Sequence, residues 1–120
     1  MGFSILHIDH VQVAAPAGKE EQAREFYTGI LGMQEIEKTK ALQGRGGAWF
    51  EFGGQQLHVG VEEPFSPAKK AHPAFRVAGY DELKDHLSAT GIVWKEDDSI
   101  PGVQRFFVFD PFGNRLEFLK

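Results

Sequence analysis

No cysteine occurs among the 120 residues, which excludes a disulfide framework, a cysteine nucleophile and a structural zinc knuckle. An excess of cations is missing too: thirteen Lys and Arg stand against seventeen Asp and Glu, for a formal charge of −4. Nucleic acid and anionic membrane both need a basic face to displace counterions, so neither is an expected partner. No window approaches the roughly 18 apolar residues of a membrane span, and residues 1–8 carry neither a basic leader nor a signal-type apolar core. The expected location is the cytoplasm. What is present is a globular composition, 42% hydrophobic and 25% charged. The length fits about one domain, able to bury roughly two-thirds of its unfolded surface.

Along the chain, an apolar run over residues 5–13 predicts a strand, ended by Ala14-Ala15-Pro16-Ala17-Gly18. A helix is expected from about Lys19. Ala23, Phe26, Tyr27, Ile30 and Leu31 make one apolar stripe at a 3.6-residue period, with Gly32 as a left-handed stop. Strands follow over residues 33–40, 47–52 and 55–61, the last two joined by the hairpin signal Gly53-Gly54. Residues 63–70 read as a linker. The order then repeats: a strand at 73–77, a helix at 80–90 with Leu83 and Leu87 inward and Gly91 as its stop, then strands at 92–95, 104–109 and 115–119. Asp110-Pro111-Phe112-Gly113-Asn114 is the turn between the final two. The spacing predicts a single domain built from two modules, 1–62 and 71–120, each running strand, helix, three strands.

Histidines and one carboxylate occupy matching places in the two modules. His10 lies in the opening strand of the first and His72 opens that of the second; His58 and Glu117 lie in the closing strands. His58 follows His10 by 48 residues, and Glu117 follows His72 by 45. Strand parity adds a constraint. Leu116 and Phe118 must face an apolar layer, so Glu117 faces away, and Leu57 and Val59 impose the same on His58. All four groups therefore project from the sheet face opposite the helices. If the modules close into one cup, three imidazoles and a carboxylate suit a borderline divalent cation with positions left for water or substrate. His7 has the wrong parity and His86 falls on the predicted helix, so both are read as structural. Gly44, Gly46 and Gly47 do not complete G-x-G-x-x-G and read as a flexible turn. Gln12, Gln56, Arg76 and Arg115 share faces with the candidate ligands. An Arg there could hold a substrate carboxylate bidentately, and Trp49 and Phe107 could wall the cup.

The stretches Ile8-Asp9-His10-Val11-Gln12-Val13, Glu25-Phe26-Tyr27 with Leu31-Gly32-Met33, His72-Pro73-Ala74-Phe75-Arg76-Val77 and Asp110-Pro111-Phe112-Gly113-Asn114-Arg115-Leu116-Glu117 together resemble the vicinal oxygen chelate superfamily, also called the glyoxalase, bleomycin-resistance and extradiol dioxygenase superfamily. The resemblance spans almost the whole chain. It implies an α+β fold: two βαβββ modules forming a cup-shaped mixed sheet with helices outside, often completed by a homodimer. It places His10, His58, His72 and Glu117 on the family's four metal positions, with Glu117 as the proton-moving catalytic carboxylate; Trp49, Arg76, Phe107 and Arg115 are substrate-binding candidates from strand parity alone. The implied cofactor is a divalent ion (Zn, Ni, Mn or Fe), and the partner a small molecule with vicinal oxygens undergoing lyase, isomerase or dioxygenase chemistry. The alternative is a non-catalytic protein that sequesters a drug or metabolite, as bleomycin-resistance proteins do. Glyoxalase I enzymes usually carry a carboxylate where His58 stands, and fosfomycin transferases tend to place a phenol near Phe107; both departures count against those two activities. Whether the cup forms within one chain or across a swapped dimer stays open at this level.

Overall fold

The computed structural model describes residues 1–120. Two four-stranded mixed sheets share one topology. The first contains β1 (His10–Ala15), β2 (Gln34–Ile36), β3 (Ala48–Phe52) and β4 (Gln55–Val61) in the order β1-β4-β3-β2. The second contains β5 (Ala74–Arg76), β6 (Lys95–Glu96), β7 (Arg105–Phe109) and β8 (Arg115–Leu119) in the order β5-β8-β7-β6. In each, the opening strand runs parallel to the closing one and the other pairs are antiparallel. The doubled α+β architecture is thus present as two copies of one strand order.

Helices cover the outer faces. α1 (Glu20–Ala23) continues as a π-helical stretch, Arg24–Ile30. The amide of Leu31 reaches the Phe26 carbonyl, five residues back, at 2.9 Å. The apolar stripe predicted for a regular helix still turns inward: Ala23, Phe26 and Tyr27 are buried, and Ile30 and Leu31 pack on the core. α2 (Tyr80–Ala89) buries Tyr80 and Leu87 against the second sheet. Gly32 and Gly91 close the two helical segments at φ +75° and +79°, left-handed values that a Cβ disfavours.

Several predicted boundaries are corrected. The opening strand begins at His10, not at residue 5, because residues 1–9 pair with no strand of the chain and are exposed. The strand expected over 33–40 shortens to β2, and a 3₁₀ helix (Lys40–Arg45) follows where a flexible turn was expected. Gly47 has a steric duty: a Cβ there would lie 2.2 Å from the Val59 carbonyl oxygen. The strand expected over 92–95 is only Lys95–Glu96.

One core cluster runs through both modules. In the second, Phe75, Phe106 and Phe118 stack with centroids 5.4 Å apart, and Phe52 of the first sheet meets Phe75 edge-on at 5.3 Å. Polar ties reinforce the junction. The Tyr27 hydroxyl donates to Asp110 Oδ2 at 2.6 Å, and Asn114 Nδ2 donates to the Ala14 carbonyl at 2.7 Å. Even so, only 21 residues are buried. The radius of gyration is 15.3 Å, where a compact chain of this length gives about 14 Å. The molecule is flattened, 46 × 43 × 26 Å, with its two sheets spread side by side.

Candidate functional site

Register shows how the two modules place their polar groups. On the first sheet Gln12, His58 and Trp49 lie opposite one another across β1, β4 and β3. On the second, Ala74, Glu117 and Phe107 lie opposite one another across β5, β8 and β7. His10 stands two residues before Gln12, and His72 two before Ala74. Leu57, Val59, Leu116 and Phe118 are buried in the core behind them. His58 and Glu117 are therefore equivalent positions of one repeated unit, each with an aromatic ring beside it on the neighbouring strand.

The first pair is a stack. The His10 and His58 rings lie 4.1 Å apart at an interplanar angle of 15°, and the Trp49 indole covers His58 at 4.0 Å and 5°. His10 Nδ1 donates to Asp9 Oδ2 at 2.9 Å, leaving Nε2 as its free nitrogen. His58 Nε2 donates to Gln56 Oε1 at 2.9 Å, leaving Nδ1 free. Burial, helped by the neighbouring His10, pushes the His58 pKa down against a weaker opposite pull from Asp9. That favours the neutral imidazole, the form able to hold a metal ion.

The second pair is an imidazole facing a carboxylate. His72 Nδ1 donates to the Lys70 carbonyl at 2.7 Å, and Nε2 lies 2.8 Å from Glu117 Oε1. The Lys70 carbonyl can only accept, so Nδ1 is a donor and Nε2 is the nitrogen turned to the carboxylate. Arg105, which sequence reasoning did not single out, also reaches Glu117 Oε1, from Nη1 at 3.3 Å. Its other arm meets Asp97 at 3.4 Å and Ser99 at 3.1 Å. The signal that could have found it was parity: Arg105 precedes Phe107 by two residues and shares its face.

The remaining candidates divide. The Arg115 guanidinium lies 3.9 Å from the centre of the Phe107 ring, and that ring meets His72 edge-on at 5.4 Å. Arg76 turns aside and donates to the Lys120 carbonyl at 2.7 Å. The Gln12 amide rests against Gly60, where a Cβ would lie 2.5 Å from Nε2. His7 bonds only its neighbour Ile8, and His86 ties α2 to the Ile30 carbonyl at 2.8 Å; neither approaches the candidate site.

The four proposed ligands do not converge within one chain. No three of its His, Asp and Glu side chains gather closely enough to hold a metal ion. The donor types suit a borderline divalent cation, but one chain presents them as two separate pairs. Between the sheets lies an open cleft of about 1010 Å³ bordered by His10 on β1, by His72 and by Ala74 and Arg76 on β5. Both strands that flank it are sheet edges with one side unpaired.

Comparison with known proteins places this arrangement. Residues 7–118 match the model of the Glyoxalase/Bleomycin resistance protein/Dioxygenase superfamily. No curated protein matches the chain. Among solved structures, a glyoxalase-family protein from Bacillus anthracis is 55% identical, superposes with a TM-score of 0.96, and the match covers 99% of this chain and 98% of that one. A glyoxalase family protein from Enterococcus faecalis shares the fold at 22% identity, TM-score 0.71, with both chains fully covered. The genomically encoded fosfomycin resistance protein of Listeria monocytogenes shares it at 17% identity and TM-score 0.75, covering 97% of this chain and 93% of that one. With the doubled strand order and a family match over nearly its full length, the chain belongs to the Glyoxalase/Bleomycin resistance protein/Dioxygenase superfamily.

Proposed function

We propose that the protein is a metal-dependent enzyme acting on a small molecule with two neighbouring oxygens, by lyase, isomerase or dioxygenase chemistry. Its site forms between two copies of the chain, with His10 and His58 from one and His72 and Glu117 from the other. The observation that carries this reading is the division of the candidate ligands into two equivalent pairs, on faces of two sheets whose adjoining edges, β1 and β5, are unpaired. Supporting it, Phe3, Ile5, Leu6 and Ile8 are 69–90% exposed on the segment that leads into β1. An apolar run continuing into an open strand edge is a template for pairing with another chain.

The chemistry that a bound Zn, Ni, Mn or Fe ion supplies is Lewis-acid polarisation of both substrate oxygens. The protein's own groups do the rest. Glu117, held by Arg105, is the one carboxylate among the four and serves as proton acceptor for a carbon or oxygen next to the chelated pair. Arg115, braced on Phe107, offers two parallel N–H donors to a substrate carboxylate. Trp49 and Phe107 exclude water from opposite walls.

The test is complementation between subunits. Two variants are made, His10→Ala/His58→Ala and His72→Ala/Glu117→Ala, and each alone should bind no stoichiometric metal when purified without a tag. Unfolded together and refolded as a mixture, they should regain about a quarter of the wild-type metal content, because half the dimers are mixed and each of those has one complete site. No recovery would place the site within one chain, and a metal-free wild type after reconstitution would remove the metal altogether. A second reading, a protein that sequesters a planar ligand, is favoured by the flat stack of Trp49, His58 and His10. Ligand affinity that survives His10→Ala and His72→Ala, with no turnover in any metal form, would support that reading instead.

A further inference from the structure

Beside the His10–His58 stack, the 3₁₀ helix Lys40–Arg45 borders an open pocket of about 400 Å³ on the first sheet. Its floor includes Trp49 and both histidines; its rim includes Lys38, Leu42 and Arg45. No carboxylate lines it. Carboxylates close by in the chain are already engaged: Glu20 by the Gly47 amide at 3.2 Å, Asp9 by the His10 ring and Glu37 by the Gln43 side chain at 3.1 Å. Lys38 is half-buried and its ammonium donates to the Gly46 carbonyl, which fixes the head group and leaves two of its three N–H donors unused. Arg45 is exposed, and every ion pair of the chain lies elsewhere. Two uncompensated cations over an aromatic floor, in a protein of charge −4, are a local inversion of the overall field.

We infer that this cavity is a subsite for an anionic substituent of the substrate, a carboxylate or phosphoryl group held by Lys38 and Arg45, with the carbon chain that carries it lying between Leu42 and Trp49. The inference rests on the metal-centre reading for its geometry, since His10 and His58 border the same cavity and a molecule held at them extends directly into it. The substrate is therefore an anion at the end remote from its paired oxygens. A phosphoryl dianion engages both cations; a carboxylate is satisfied by Arg45 alone with Lys38 adding field.

The test uses the intact, metal-loaded protein and three probes that share a hydroxy-acid head: lactate, with no remote anion; malate, with a remote carboxylate; and 3-phosphoglycerate, with a remote phosphoryl group. Calorimetry should show malate or 3-phosphoglycerate binding about tenfold tighter than lactate, the equivalent of one or two charge-assisted hydrogen bonds. Which of the two binds tighter identifies the group. Lys38→Met/Arg45→Met should erase that preference while leaving lactate affinity and metal content unchanged, and Lys38→Arg should retain it. A preference that persists in the double variant, or none in the wild type, overturns the subsite. If the metal centre itself fails, inorganic phosphate titrated into the metal-free protein still decides. A shift of the Trp49 indole resonance that disappears in Lys38→Met/Arg45→Met upholds the subsite, and an indole signal that does not move refutes it.

Discussion

Tyr27 and Asp110 join parts of the chain 83 residues apart with a single hydrogen bond of 2.6 Å. Asp110 is the hub of that junction. Its carboxylate also accepts the amides of Phe112 at 2.9 Å and Asn114 at 2.8 Å, and the Asn114 side chain at 2.9 Å. Burial first, and the adjacent carboxylate second, hold the Tyr27 phenol well above its usual pKa, so it stays a donor throughout the accessible range. Tyr27→Phe should cost about 2 kcal/mol, the usual worth of a hydrogen bond to a charged group. Asp110→Ala should cost about 4 kcal/mol, because it strands several buried donors at once. Urea unfolding of both variants and of the double variant checks this. Strong non-additivity is expected of a shared bond, and two independent, additive losses would show that the contact carries little energy. His58 makes a second prediction at this scale. Its pKa is lowered in the folded chain, so the unfolded chain takes up the proton first as pH falls. The metal-free protein should therefore be at full stability above about pH 6.5 and lose stability as pH drops below it. Unfolding midpoints between about pH 7.5 and 5.5 should fall more steeply for wild type than for His58→Gln.

At the scale of elements, the strands that carry the candidate site were the most legible parts of the chain. Leu57-His58-Val59 and Leu116-Glu117-Phe118 alternate strictly, and a period of two leaves only one way for the polar residue to face once its neighbours are buried. The inward stripe of the first helix was legible too, but not its π-helical winding: the same residues reach the core at either pitch, so the apolar pattern cannot separate them. The 3₁₀ helix was hidden behind Gly44, Gly46 and Gly47, which read as loose turn residues although Gly47 is fixed by its approach to Val59. Asp110 reads locally as a turn former; its partner Tyr27 is invisible to any short window. The apolar pattern of the opening strand runs further than the strand itself, for an informative reason. Residues 5–8 have strand-like apolar side chains but no partner within the chain, so pattern promised pairing that a single copy does not supply. Deleting residues 2–8 should therefore leave the fold and its unfolding midpoint at high dilution nearly unchanged while weakening self-association. Sedimentation of the truncated and full chains checks this. Equal dimerisation would mean that the exposed apolar side chains serve some other contact.

For the whole molecule, the outline is flattened and the number of buried residues modest, which leaves broad sheet faces for the second copy proposed above. The junction between its modules is fixed by the Tyr27–Asp110 and Asn114–Ala14 bonds, so the two ligand pairs cannot be brought together simply by loosening residues 62–73 without breaking that junction. In the proposed dimer, closing the four-ligand site through a second copy would avoid that cost and would make metal binding and dimerisation reciprocal. An ion that contacts groups from both copies binds the dimer and not the separated chains, and so stabilises the dimer by its own binding free energy. Chelation should then raise the dimer dissociation constant by about tenfold or more, while Glu117→Gln or His10→Ala, which remove one donor each, should make the dimer insensitive to added metal. Dilution series by analytical ultracentrifugation, with and without chelator, read the effect directly. The dimer could instead respond identically in wild type and variants. The ion would then sit away from the interface, and the two pairs on the facing sheets would need separate explanations, His72–Glu117 as an ion pair and His10–His58 as part of an aromatic floor.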